Sequence, residues 1–121
     1  MRDHRNLKAF QLADQLVEDV YKISGQFPDS EKYGLTSQLR RAAVSVPGNI
    51  VEGCGRYSEA DLFKFLDYAF ASLREAGYYL DLSGRLGFVT PGDLRPVKSL
   101  QADAAVMLSG LRRTVRKWKA S

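Results

Sequence analysis

Few side chains in this sequence are of the types that do chemistry, and they are scattered. His4 is the single histidine and Cys54 the single cysteine. His4 precedes the first helical pattern and reads as a solvated terminal residue. Cys54 lies on an apolar arc and reads as a buried structural thiol. No Cys/His cluster has metal-ligand spacing. Gly53-Cys54-Gly55 lacks the lysine and the strand context of a phosphate loop. Glu59 and Asp61 are close in sequence, but they follow Ser58 and are explained as charges that suit a helix start. No pocket of convergent titratable groups can be assembled. The expectation is a protein that is not an enzyme and uses no metal or cofactor.

Two constellations remain. The first is a polar line along one predicted helix: Gln38, Arg41, Ser45, Asn49, Glu52 and Arg56. Asn49, Glu52 and Arg56 share a face, and Glu52 stands four residues before Arg56 in the favourable orientation. As a surface ion pair this is worth about 0.3 kcal/mol. As a polar network at a subunit junction it sets the register of assembly and performs no reaction. The second is the basic end of the chain, where Arg112, Arg113, Arg116, Lys117 and Lys119 occur with no acid among them. Cations near a helix C-terminus offset the dipole, which accounts for two or three of the five. The rest leave room for phosphate binding. Arg95, Lys98, Arg113 and Arg116 share roughly one side of the last helix, and Arg40 and Arg41 add charge elsewhere. Tyr78 and Tyr79 can stack on bases, although packing is the commoner use of such residues. No sequence-reading nucleic-acid motif is present.

These residues are positioned by four amphipathic patterns, at about 6–24, 34–55, 58–86 and 90–118, in one domain spanning 1–121. The first has Asn6 as its N-cap and Phe10, Ala13, Leu16, Val17, Val20 and Ile23 on one face. A turn-rich linker follows, with Phe27 packing inward. The second has Leu39, Ala42, Ala43, Val46, Ile50 and Cys54 as one stripe, extended by Val44, Pro47 and Val51. That arc of about 200° is wider than one core needs. Pro47 predicts a kink and not a stop, because the apolar period continues beyond it. Small residues such as Gly48 and Gly53 let neighbours approach closely.

The third helix opens on Ser58 and carries Leu62, Leu66, Ala69, Leu73, Ala76 and Leu80, with Tyr68, Tyr79 and Leu82 on another side. Gly87 follows its end. Thr90-Pro91-Gly92-Asp93 is a clear start for the fourth. Its seam runs Leu94, Val97, Leu100, Ala104, Met107 or Leu108, Leu111, Val115 and Trp118. Four helices with short connections and no strand pattern give an all-α, antiparallel up-down-up-down four-helix bundle. The surplus apolar surface on the second and third helices predicts self-association. The interface residues it points to are Val44, Pro47, Asn49, Val51, Glu52, Arg56, Tyr68, Tyr79 and Leu82.

The central stretch LTSQLRRAAVSVPGNIVEGCGR, Leu35–Arg56, resembles the signature of four-helix-bundle proteins encoded in intervening sequences of bacterial 23S rRNA genes. There the same place reads approximately L-T-S-Q-[IL]-R-R-A-[AS]-V-S-[IV]-P-S-N-I-A-E-G. The resemblance continues through Ser58–Leu80 and faintly at Leu7–Ala13. Gly48 stands where the family usually has serine. Gly77 stands where a second glutamate often follows the one matching Glu75. The resemblance implies a homopentameric ring of bundles. Related bundles associated with diversity-generating retroelements act as partners of a reverse transcriptase and bind nucleic acid, so the resemblance also implies such a partner.

Composition bounds the reading. A chain of 121 residues, 45% hydrophobic and 26% charged, is a soluble globular domain. No apolar run approaches the ~18 residues of a membrane span. The N-terminus lacks the apolar core of a signal peptide. One cysteine makes no internal disulfide, so a cytoplasmic location is expected. A net charge of +4 permits a nucleic-acid partner without establishing one. The expected function is a non-enzymatic accessory or scaffold that binds RNA or DNA through phosphates. Arg40, Arg41, Arg95, Lys98, Arg112, Arg113, Arg116, Lys117 and Lys119 are the contacts. The alternative is a module that binds only protein, with the basic charge serving solubility.

Overall fold

The computed structural model describes residues 2–120, the side chains of 119 and 120 excepted. Four α-helices make up the chain, α1 (Lys8–Ser24), α2 (Leu35–Cys54), α3 (Glu59–Arg85) and α4 (Pro91–Ala120). Short 3-10 turns lie at His4–Asn6 and Asp29–Glu31. There is no strand among the described residues. Each helix packs on two others: α1 on α2 and α4, and α3 on α2 and α4. The diagonal pairs do not approach at the backbone. This arrangement is consistent with a four-helix bundle.

The helix starts follow local chemistry, with one exception. Ser58 Oγ accepts from the Asp61 amide at 3.0 Å and Thr90 Oγ1 from the Asp93 amide at 3.1 Å, each satisfying a donor that the first turn leaves open. At α2 the Glu31 carboxylate accepts from the Leu35 amide at 3.0 Å. Asn6 does not cap α1. Asp3 instead accepts from the Arg5 amide and caps the 3-10 turn. That turn consumes Asn6 and leaves Leu7, with no capping side chain, at the start of α1. The end of α3 is a Schellman motif. Gly87 has φ +76°, its amide donates to the Gly84 carbonyl, and the Phe88 amide donates to Ser83.

The predicted stripes form the core. Leu39, Ala42, Ala43, Val46, Ile50 and Cys54 of α2 are all buried, as are Leu62, Leu66, Ala69, Leu73, Ala76 and Leu80 of α3. Ala13, Leu16, Val20 and Ile23 join them from α1, and Val97, Ala104, Leu108 and Val115 from α4. Each large side chain in this set contributes about 1.5–3 kcal/mol of apolar burial. Leu108 takes the seam position and Met107 faces out. Phe27 packs inward against Phe88, their centroids 5.7 Å apart. α2 runs through Pro47 without stopping, and α4 likewise contains Pro96.

Pairings between α3 and α4 run in opposite order along the two helices. Lys98 meets Asp81, Gln101 donates to the Leu73 carbonyl, and Arg112 meets Asp67. Glycine tightens two of the packed pairs. A Cβ on Gly53 would meet Phe65 Cβ at 3.0 Å, and one on Gly77 would meet Gln101 at 2.6 Å. Gly48 has nothing within 4 Å and serves no such approach.

Candidate functional site

The polar line of α2 divides into two parts. Glu52 and Arg56 form an i,i+4 pair at 2.6 Å with both side chains about half exposed. The Arg56 guanidinium lies 4.7 Å from the Phe65 ring. A pair so exposed is worth about 0–1 kcal/mol. Asn49 does not join it. Its Nδ2 donates to the Ser45 carbonyl at 2.8 Å and to Ser45 Oγ at 2.9 Å. Ser45 Oγ in turn shares a hydrogen bond of 2.8 Å with Ser72 Oγ of α3. Because a backbone carbonyl only accepts, Nδ2 must face it, and Oδ1, which takes no protein donor among the described residues, is open to solvent.

Apolar surface at the proposed interface is smaller than the sequence implies. Val44 and Val51 on α2 and Tyr68 on α3 are exposed by 45%, 41% and 47%. Pro47 is buried within its own chain and offers no surface to a partner. Tyr79 and Leu82 are half-buried against the chain's own core. The wide arcs of α2 and α3 are thus partly absorbed inside one bundle, because each helix packs on two neighbours.

The nine cations expected to contact phosphate do not form one patch. Arg40 and Arg41 lie on α2, the rest on α4, and these two helices do not touch at the backbone. Lys98 is held by Asp81 at 2.8 Å and by the Gly77 carbonyl at 3.3 Å. Arg112 Nε donates to Asp67 at 3.0 Å, and its guanidinium lies 4.3 Å from the Phe70 ring. These two are structural ties to α3, which removes them from the proposed contacts. Arg41, Arg95, Arg113, Arg116 and Lys117 are exposed, with no carboxylate partner among the described residues. The Lys119 side chain lies outside the described residues. Arg40 donates to Ser24 Oγ at 2.8 Å and to the Tyr21 carbonyl at 3.3 Å, and it too has no acid.

One tie was not legible in the sequence pattern. The Arg2 amide donates to the Cys54 carbonyl at 3.1 Å, and Arg2 Nη2 donates to both Glu59 oxygens at 2.6 and 2.7 Å. Its guanidinium lies 4.9 Å from the Trp118 ring. Arg2 thereby joins the end of α2, the start of α3 and the last turns of α4. Cys54 beneath it is buried, and that burial pushes its thiol above the ordinary range, the setting of an inert thiol.

No group of His, Cys, Asp or Glu among the described residues has the geometry to hold a metal ion. No helix in the described residues is long and apolar enough to cross a membrane.

The family model for the 23S rRNA-intervening sequence protein matches residues 5–110. No curated protein matches the chain. Among solved structures, the chain is similar to a protein with unknown function of the S23 ribosomal protein family from Bacteroides thetaiotaomicron VPI-5482. The TM-score is 0.79 at 18% sequence identity, covering 86% of this chain and 97% of that one. At that identity the likeness carries the fold alone.

Proposed function

Because the chain belongs to the 23S rRNA-intervening sequence protein family, we propose that it is a non-enzymatic accessory or scaffold protein that self-assembles and binds RNA or DNA through phosphates. Its arrangement is an antiparallel up-down-up-down bundle, supported by the opposed order of the α3–α4 pairings. Assembly into a pentameric ring is the expectation carried by the family resemblance. The physical support for assembly is the exposed apolar surface of Val44 and Val51 on α2 and of Tyr68 on α3. A second copy laid on Val44 and Val51 covers that apolar surface.

The observation that carries nucleic-acid binding is the unpaired charge. Arg41, Arg113, Arg116 and Lys117 stand exposed without carboxylates, while Lys98 and Arg112 are neutralised. Repetition around a ring makes each modest patch multivalent. A reverse transcriptase or another protein is a candidate partner on the resemblance alone, and the expected location is the cytoplasm. The protein-only alternative is favoured by Val106 and Met107, which stand 70% and 41% exposed on α4, away from the proposed junction.

Light scattering at micromolar concentration, with filter binding to a structured RNA across salt, tests both halves. The expected result is a mass several times that of one chain and an affinity that falls as salt rises. A monomer removes the assembly. RNA binding that is absent at low salt, or that has no salt slope, removes the nucleic-acid function and leaves the protein-only module.

A further inference from the structure

An open groove of about 670 Å³ lies where the end of α1 meets the start of α2. It has aromatic, cationic and hydroxyl walls, among them Tyr21, Tyr33, Lys32, Arg40, Arg41 and Ser37, and no Asp or Glu lines it. Tyr33 is 86% exposed and Tyr21 46% exposed. Arg40 covers part of Tyr21, its guanidinium 4.6 Å from the ring centroid. It is fixed there by Ser24 Oγ and the Tyr21 carbonyl. Lys32 Nζ stands 5.4 Å from the Tyr33 ring. Three cations without carboxylate partners therefore share a groove with two accessible rings.

From this juxtaposition we propose that the groove is a subsite for single-stranded nucleic acid, with bases stacking on Tyr33 and Tyr21 and the backbone phosphates held by Lys32, Arg40 and Arg41. The proposal rests on the nucleic-acid function above and names the form of strand that this part of the molecule takes. Unneutralised cations select a polyanion. Exposed rings beside them select one whose π-faces are free, which a duplex buries in its own stack. Arg40 holds Tyr21 in place in advance, so one stacking surface is ordered before the strand arrives. Val44 belongs both to the groove wall and to the proposed junction, and Tyr21 and Tyr33 are not among the junction residues.

The test compares binding of a fluorescent oligothymidylate and of a duplex of equal length by polarisation, using the full chain. The variants are Tyr33→Ala, Tyr33→Phe and, as a control on α4, Arg113→Gln with Lys117→Gln. Tyr33 is so exposed that its substitution leaves the fold intact. Tyr33→Ala is expected to weaken single-strand binding about 5- to 50-fold and to leave duplex binding unchanged. Tyr33→Phe, which keeps the ring, is expected to retain single-strand affinity.

If neither strand nor duplex binds the natural protein, the parent function fails and this subsite with it. If both bind and Tyr33→Ala changes nothing, or only the α4 control loses affinity, charge-driven binding stands and the groove is overturned as its site. Displacement of the strand by poly-glutamate of equal charge at equal concentration also overturns it, since that polymer offers charge and no base.

Discussion

The two ends of the bundle are made from similar residues put to opposite use. At one end Arg2 lies over Trp118 and its charge is taken up by Glu59. At the other, Arg40 lies over Tyr21 with neutral oxygens only, and Lys32 and Arg41 add charge that no carboxylate answers. The first end is closed, its cation tying three helices together. The second is open, with charge and ring both turned to solvent. An arginine beside an aromatic ring has no function by type. Whether an acid completes the set decides whether the charge is neutralised or left for the binding proposed above.

Perturbing each end separates the two roles. The largest stability effect is expected at the closed end. Gly53→Val places a Cβ 3.0 Å from that of Phe65, where neither helix can yield cheaply. A loss of about 1–3 kcal/mol is predicted, read as a shifted denaturant midpoint. On the same helix, Gly48→Ala meets nothing within 4 Å and is predicted to stabilise by about 0.5–1 kcal/mol through helix propensity. Equal losses at the two positions would contradict the asymmetric packing of α2.

At the open end, Lys32→Gln and Arg41→Gln are each predicted to lower affinity for RNA about threefold at moderate salt, with little change in stability. Arg2→Gln is predicted to do the reverse. It costs under about 1 kcal/mol, because its ion pair is a third exposed. It moves the Trp118 emission and leaves RNA affinity unchanged.

The smallest effect is local and pH-dependent. The Arg5 side chain and amide hold the Asp3 carboxyl below its ordinary value of 3.8. A carboxyl depressed in the folded state contributes above its unfolded pKa, and that contribution fades as pH falls through the folded value. The Arg5 amide resonance is therefore predicted to titrate below that ordinary value, and Asp3→Asn to abolish the transition.

The helices and their faces were legible because the signals are local. Ser58 and Thr90 cap through oxygens that reach amides three residues on, and an apolar residue at each helical repeat marks the core. Asn6 misled because a polar residue before a helix can also be spent in a 3-10 turn, as happens when Asp3 caps first. The interface was overdrawn for a tertiary reason. Periodicity does not reveal that Tyr79 and Leu82 reach the chain's own core, or that Pro47 is covered by it. The basic stripe was overdrawn likewise, since Asp67 and Asp81, which neutralise Arg112 and Lys98, come from a different helix. Lys32 ends the linker and Tyr33 directly precedes the second helical pattern, positions that no apolar period singles out. Their one signal was an aromatic residue beside a cation where no burial called for it.

The salt dependence of RNA binding, measured side by side for the natural chain, for Lys32→Gln with Arg41→Gln, and for Arg2→Gln, tests the account most directly. A negative slope of log affinity against log salt is predicted. It should be shallower by about two units in the open-end double variant and unchanged when the closed-end arginine is removed. Slopes equal in all three, or no binding even at low salt, would contradict it.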